Sequence, residues 1–372
     1  MSHTPALPPP PPDASIPRPR LIDAGLLWPL AALGLLLAFN GMFTSRFFAV
    51  GTREGRLFGT PVDVLHRAAP TALLALGMTL VIATGGIDLS VGATMAIAAT
   101  VAAVHIRGPV DAGGLPTTAG GSVAVALVLA GAAGLACGAW NGLLAAVLDI
   151  QPFVATLILM EAGRGVAELL SAGQTVTLAP GTLCWLHYLP PGGGWLRHHL
   201  LYPVPLDVIW AIAAAVLVAI LTRRTALGLF LEAVGNNPLA SRYAGVGVTG
   251  VKFAAYALCG VTAAAAGLLE AADLDAARIG LGTTRELDAI LAVSLGGTAL
   301  VGGRFSLAGS IIGAVVISTL NQTVQLTHVR GRQIPNEWFQ VAEAVVIVAT
   351  FLLQSESLRS RVRRLFTRRP PA

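Results

Sequence analysis

Long uncharged runs, interrupted by short polar breaks, set the plan of this chain. They predict spans at Leu21–Phe43, Val64–Ala83, Leu89–Ile106, Ser122–Leu148, Phe153–Leu170, Leu206–Leu221, Phe253–Leu269, Leu287–Val301, Leu307–Leu326 and Trp338–Leu353. Since ~20 residues at ~1.5 Å rise cross the ~30 Å hydrocarbon layer, the reading is an all-α, polytopic membrane bundle of about ten transmembrane helices. The break between the second and third runs, Gly85-Gly86-Ile87-Asp88-Leu89-Ser90, is too short for a soluble excursion. Irregular backbone at membrane depth survives only against protein or a watery cavity. The helices are therefore read as broken at glycine-rich motifs, with the oxygens of Asp88 and Ser90 at the break. Gly302-Gly303 with Gly309 repeats the internal spacing of Gly85-Gly86 with Gly92. Such repeats around broken helices recur in transporters.

The flanks divide the chain further. Residues 1–20, with Pro8 to Pro12 and Arg18 and Arg20, predict a disordered, Pro-rich cytoplasmic tail. Residues 21–355 form the membrane domain, and residues 356–372, with six arginines from Arg359 to Arg369, form a basic cytoplasmic tail. Arginine in short loops orients membrane proteins. Both termini and the loop carrying Arg223, Arg224, Arg242 and Lys252 are placed on the cytoplasmic side, while Arg46, Arg53 and Arg56 run against that rule.

Composition narrows the class. Apolar residues make up 55% and charged residues 12%, and the mean hydropathy is +0.73; ordinary soluble domains are about a quarter charged. The basic balance lies beside spans rather than in a stripe interleaved with aromatics, which excludes nucleic acid as a partner. Cys137, Cys184 and Cys259 lie in separate segments without ligand spacing and read as core filler. His187, His198 and His199, with Trp185 and Trp195, read as an interfacial loop rather than a zinc site. No catalytic constellation, cofactor motif or G-x-x-x-x-G-K-[ST] phosphate loop is found, so energy is expected from a partner.

Between Thr225 and Lys252 the pattern turns amphipathic. Thr225 is placed to cap a short helix closing at Gly235. Asn237 before Pro238 reads as an N-cap followed by a first-turn proline, and Gly245 as the C′ glycine of a second short helix. The hairpin reads either as a docking element or as a plain membrane-surface turn. Within the fifth span, Glu161, Arg164 and Glu168 fall on one helical stripe, so Arg164 is expected to pair with one of those carboxylates. Glu286 and Asp288 are read as setting the outer end of the eighth span or meeting a partner there.

Five motifs occur in this order: GGIDLSVG at Gly85–Gly92, QPFVATL at Gln151–Leu157, AVGNNPLASRYAGV at Ala233–Val246, ELDAILAVSLGGT at Glu286–Thr298 and GGRFSLAGSIIGA at Gly302–Ala314. Together they resemble the permease subunits of bacterial ABC sugar importers of the ribose/galactofuranose type, over roughly Leu26 to Leu353. The wording of Leu231–Gly235 and of GRLFG at Gly55–Gly59 leans toward the galactofuranose branch. The resemblance implies an inner-membrane dimer, of one permease or two related ones. It would receive sugar from a periplasmic sugar-binding protein and be driven by a separate ATPase with tandem nucleotide-binding domains. It also implies that Glu232, Gly235, Asn236, Asn237, Ala240, Arg242 and Gly245 couple to that ATPase within a cytoplasmic loop over 225–250. Gly85, Gly86, Asp88, Ser90, Asn141, Gln151, Thr156 and Arg164 are candidates for the translocation path. Asp88 is read as lining that path, capping the following helix, or both; Asn141, Gln151 and Thr156 as touching sugar hydroxyls or bridging helices. The alternative is an ion-coupled secondary transporter that uses Glu161, Arg164 and Glu168 without an ATPase.

Overall fold

Helix α2, Thr60–Ala83, carries no charged residue after Arg67, and every residue from Thr71 to Ala83 is buried, as expected of a helix at the centre of a bundle. The structure, a computed structural model, describes residues 24–44, 47–53, 56–108, 120–179, 182–183, 186, 205–326, 328–329, 332–333, 341, 344–345 and 348. Around α2 lie α1 (Ala24–Phe43), α3 (Val91–Arg107), α4 (Val123–Gly142), α5 (Pro152–Leu170), α6 (Leu206–Arg224), α7 (Leu227–Asn236), α8 (Pro238–Tyr243), α9 (Val248–Asp273), α10 (Arg285–Leu295) and α11 (Leu307–Leu326). Helices α6, α9, α10 and α11 pack directly on α2, while α3 and α4 reach the core through α9, α5 lies outside α3, and α1 lies against α11.

Small residues let these helices approach. Gly134, Gly138 and Gly142 form one stripe of α4, and a side chain on any of them would collide with Gly260, Ala257 or Phe253 of α9. Close backbone packing and interhelical hydrogen bonds drive association where lipid removes the hydrophobic term. Two such bonds tie α11 down: Asn40 Nδ2 donates to Thr323 Oγ1 at 2.7 Å, and Thr79 Oγ1 to Ser310 Oγ at 2.7 Å. The peripheral helices leave large apolar side chains exposed, among them Leu35 on α1, Val128 on α4 and Leu217 on α6. That surface suits hydrocarbon.

Among the described residues, six helices are long and apolar enough to cross a membrane: those at Leu26–Phe43, Thr60–Ala83, Val123–Val147, Leu206–Arg224, Val248–Asp273 and Leu307–Leu326. Two more expected runs form helices where expected, α3 with 17 residues and α5 with 19, which carries Glu161, Arg164 and Glu168. Another expected span takes a different form. The expected Leu287–Val301 run is an 11-residue helix, α10. It stops because Gly297 adopts φ +83° and Gly296 packs backbone to backbone on Gly309. Helix α4 does not run straight to Gln151 but passes into a π-helical segment, Leu143–Val147. The tails 1–20 and 356–372, the loop histidines 187, 198 and 199, Trp185, Trp195, Cys184, and the span Trp338–Leu353 apart from Val341, Ala344, Val345 and Val348 lie outside the described residues.

Three two-stranded antiparallel ladders finish the described fold: β1 (Gly51–Arg53) with β2 (Arg56–Phe58), β3 (Val176–Thr177) with β4 (Ala276–Ala277), and β5 (His328–Val329) with β6 (Arg332–Gln333). The β3–β4 ladder joins the chain after α5 to the chain after α9. At the same end His66, near the start of α2, bridges Asp207 of α6 and Asp273 of α9. The hairpin α7–α8 occupies the opposite end, where α2 finishes.

Candidate functional site

The polar break between α2 and α3 is a closed network. Asp88 Oδ1 accepts from the Ser90 N–H at 2.9 Å, Ser90 Oγ at 2.7 Å and Asn141 Nδ2 at 3.1 Å, and Asn141 Nδ2 also donates to Ser90 Oγ at 2.7 Å. The Cys259 thiol is a further partner of Asp88, and the Tyr256 hydroxyl sits so close to Gly86 that a Cβ there would be 2.5 Å away. All four side chains, Asp88, Ser90, Asn141 and Tyr256, are buried. Asp88 is not the cap of α3: Ser90 occupies that position, and Asp88 instead closes a local turn onto it. A carboxyl group at this depth is tolerable because hydrogen-bond partners surround it.

Thr156 belongs to the same neighbourhood, its hydroxyl donating to Pro152 O at 3.0 Å and lying 3.4 Å from Ile87 O. Gln151 stands apart, exposed at the start of α5. Arg164 lies elsewhere again, and its expected partners are wrong. Its Nη2 meets Glu286 Oε1 of α10 at 3.2 Å, while Glu161 and Glu168 are exposed. The carboxylates one turn away point from the surface of α5, whereas α10 brings a buried one across the helix interface. Glu286 and Asp288 are accordingly buried rather than presented outward; Arg285 pairs with Asp288 and with Glu270 of α9, each at 3.3 Å.

The hairpin shows what its local chemistry dictates. Asn237 Oδ1 accepts from Ala240 N–H at 2.9 Å, capping α8, and Gly245 follows its end at φ +85°. Thr225 Oγ1 accepts from Leu227 N–H at 3.2 Å. Helix α7, however, does not close at Gly235; it runs on to Asn236. Gly235 is small for a different reason. A Cβ there would collide with Ala83 O at the end of α2 and with Gly303 N. Gly303 N–H itself donates to Ala83 O at 2.9 Å, and a Cβ on Gly302 would lie 2.8 Å from Gly85 N. The two repeated glycine pairs therefore meet each other directly beneath the last turn of α7. Asn236 lies against Gly303 and bonds back to Glu232 O at 2.8 Å. On the far side of the hairpin, Leu229, Leu239 and Tyr243 are exposed, as are Ala240 and Arg242.

At the opposite end, two adjoining cavities of about 230 and about 720 Å3 share Glu270, Arg278, Arg285, Asn321 and Gln325 in their walls. Sequence reasoning gave these residues and Tyr256 no role at a site, and read Cys259 as core filler, because each lies within an apolar run or beside a turn and carries no motif of its own. The one available signal was the i, i+4 spacing of Asn321 and Gln325, which sets two amides on one face of the helix.

The family described as branched-chain amino acid transport system / permease component matches residues 60–351. Among known proteins, the chain is 46% identical over 361 residues to the galactofuranose transporter permease protein of Escherichia coli (strain K12), covering 95% of this chain and 96% of that one. It is 34% identical over 344 residues to the fructose import permease protein of Bifidobacterium longum (strain NCC 2705), covering 92% and 90% respectively. With the ribose import permease protein of Escherichia coli (strain K12) the identity is 35% over 329 residues, covering 88% and 92%. No solved structure matches the chain. With a bundle of apolar helices broken at paired glycines and matches that run nearly end to end, the chain belongs to the branched-chain amino acid transport system / permease component family, as a multi-pass permease similar to sugar import permeases.

Proposed function

We propose that this chain is the membrane-spanning permease of an ATP-driven importer that carries a monosaccharide, galactofuranose or a close relative, across the bacterial inner membrane. The substrate follows the relative that is 46% identical over 361 residues. A separate ATPase with tandem nucleotide-binding domains supplies the power, a periplasmic sugar-binding protein delivers the cargo, and a second copy or a closely related permease completes the path. Residues 21–355 form the permease domain, with the 225–250 loop and both tails, 1–20 and 356–372, in the cytoplasm.

The observation that carries this reading is the seat of the α7–α8 hairpin. Its outer surface exposes Leu229, Leu239 and Tyr243, and its inner end, at Gly235 and Asn236, rests on the Gly302–Gly303 pair and on Ala83, the last residue of α2 before the Gly85–Gly86 break. A push on the hairpin thus reaches both helix breaks at once, one of them holding Asp88, Ser90 and Asn141. Glu232, Gly235, Asn236, Asn237, Ala240, Arg242 and Gly245 transmit the motion. Gly85, Gly86, Asp88, Ser90, Asn141, Gln151, Thr156 and Arg164 are assigned to the path and its supports. The test is uptake of labelled galactofuranose by proteoliposomes containing the permease, its ATPase and the binding protein. Uptake that requires ATP supports the assignment. Uptake by the permease alone under a proton gradient refutes it in favour of ion coupling.

A further inference from the structure

The larger cavity at the end opposite the hairpin lies between the close of α9, the 278–284 loop, the first turn of α10 and the far half of α11. Its volume of about 720 Å3 falls within the range of ~300–1,000 Å3 common to small-molecule pockets. Four charged residues line it, Glu270, Arg278, Arg285 and Asp288, so their charges cancel. A net-neutral wall disfavours an anion or a cation as occupant. Arg285 holds both carboxylates, Glu270 and Asp288, at 3.3 Å from its guanidinium, fixing acceptors that would otherwise repel each other. Opposite them, Asn321 and Gln325 put two amides into the same space. Acceptors held in pairs, guanidinium donors and bifunctional amides match a molecule carrying several adjacent hydroxyls and no charge.

The floor of this cavity is backbone. Gly280, Gly282 and Thr284 all take left-handed φ, +80°, +78° and +68°, and Gly282 lies directly on Gly92, one turn of chain beyond the Asp88 break. The cavity therefore ends where the helix breaks begin.

We infer that this vestibule is the station where the permease holds a neutral monosaccharide before translocation, with Asp288, Glu270, Asn321 and Gln325 contacting its hydroxyls and Arg285 positioning the two carboxylates. This rests on the transport reading above and adds to it a site formed by residues other than those at the Asp88 break.

The test uses Thr283→Cys and Leu287→Cys, on the cavity wall but outside the assigned contacts, each in the permease assembled with its ATPase in right-side-out vesicles and labelled by a membrane-impermeant maleimide. The wild-type chain, with its native cysteines, sets the background. Methyl β-D-galactofuranoside is the probe, and L-leucine, a zwitterion, is the control. Labelling from outside should slow by about threefold when the furanoside stands at about twice its Kd, with no change under leucine. Protection at either position supports the site. Equal rates with and without the furanoside, equal protection by leucine, or no labelling of either cysteine from outside overturns it. Wild-type vesicles assayed in parallel for ATP-dependent uptake judge the transport reading separately, since failure there leaves the labelling result intact.

Discussion

Replacing Gly235 with alanine places one methyl group against two backbones at once, Ala83 O and Gly303 N. Neither is the movable end of a side chain. Relief requires α7 to lift or the Gly303–Ala83 hydrogen bond of 2.9 Å to open. Overpacking of this kind costs about 1–3 kcal/mol and opening the buried backbone bond instead about 0.5–1.5 kcal/mol, so the substitution should destabilise by about 1–3 kcal/mol at the junction. The apparent melting temperature of the purified permease should fall by about 1–4 °C. In the assembled transporter the lifted hairpin should still meet the ATPase while transmitting less motion, so uptake should drop by about tenfold, the equivalent of ~1.4 kcal/mol, with ATP hydrolysis largely retained. Gly34→Ala on α1 is the matched control: a Cβ there would meet no atom within 4 Å, so melting and uptake should stay near wild type. If Gly235→Ala behaves like wild type in both melting and uptake, the hairpin does not bear on the helix breaks and the mechanical reasoning fails.

Other outcomes follow from single contacts. Asn141→Leu removes the amide that reaches Asp88 and Ser90; leaving that buried carboxylate short of a donor should destabilise by about 1–3 kcal/mol, read as a lower melting temperature of the detergent-solubilised protein. A double-mutant cycle on Arg164→Ala and Glu286→Gln should give a coupling of about 0.5–1 kcal/mol, modest because the Arg164 side chain is 37% exposed, whereas Arg164 with Glu161 or Glu168 should show none. Tyr243→Asp and Leu239→Asp, at positions 83% and 60% exposed, should leave melting within ~0.5 kcal/mol of wild type while weakening co-purification of the ATPase; unchanged co-purification would count against the hairpin as the docking surface.

What the chain settles by itself is whatever depends on neighbours in sequence. Uncharged runs as long as a bilayer is thick specify a membrane bundle, since solvation of each residue is a local property. The cap at Asn237, the proline after it and the left-handed Gly245 are legible for the same reason: a side chain bonds an amide three residues on. The repeated glycine pairs were visible too, but not what they are for. Tertiary structure alone decided that Gly85 meets Gly302 and that Gly235 lies against Ala83 and Gly303, because the reason for a missing side chain is the atom that would occupy its space. It likewise decided the partner of Arg164. Two carboxylates within one turn looked sufficient, yet Glu286, 122 positions away, is the one brought inside with it. Hydropathy could not show that α10 ends at Leu295, since a window of apolar residues reads the same whether the chain continues as helix or turns at Gly297. Partner choice across helices is set by packing, and packing is a property of the whole bundle.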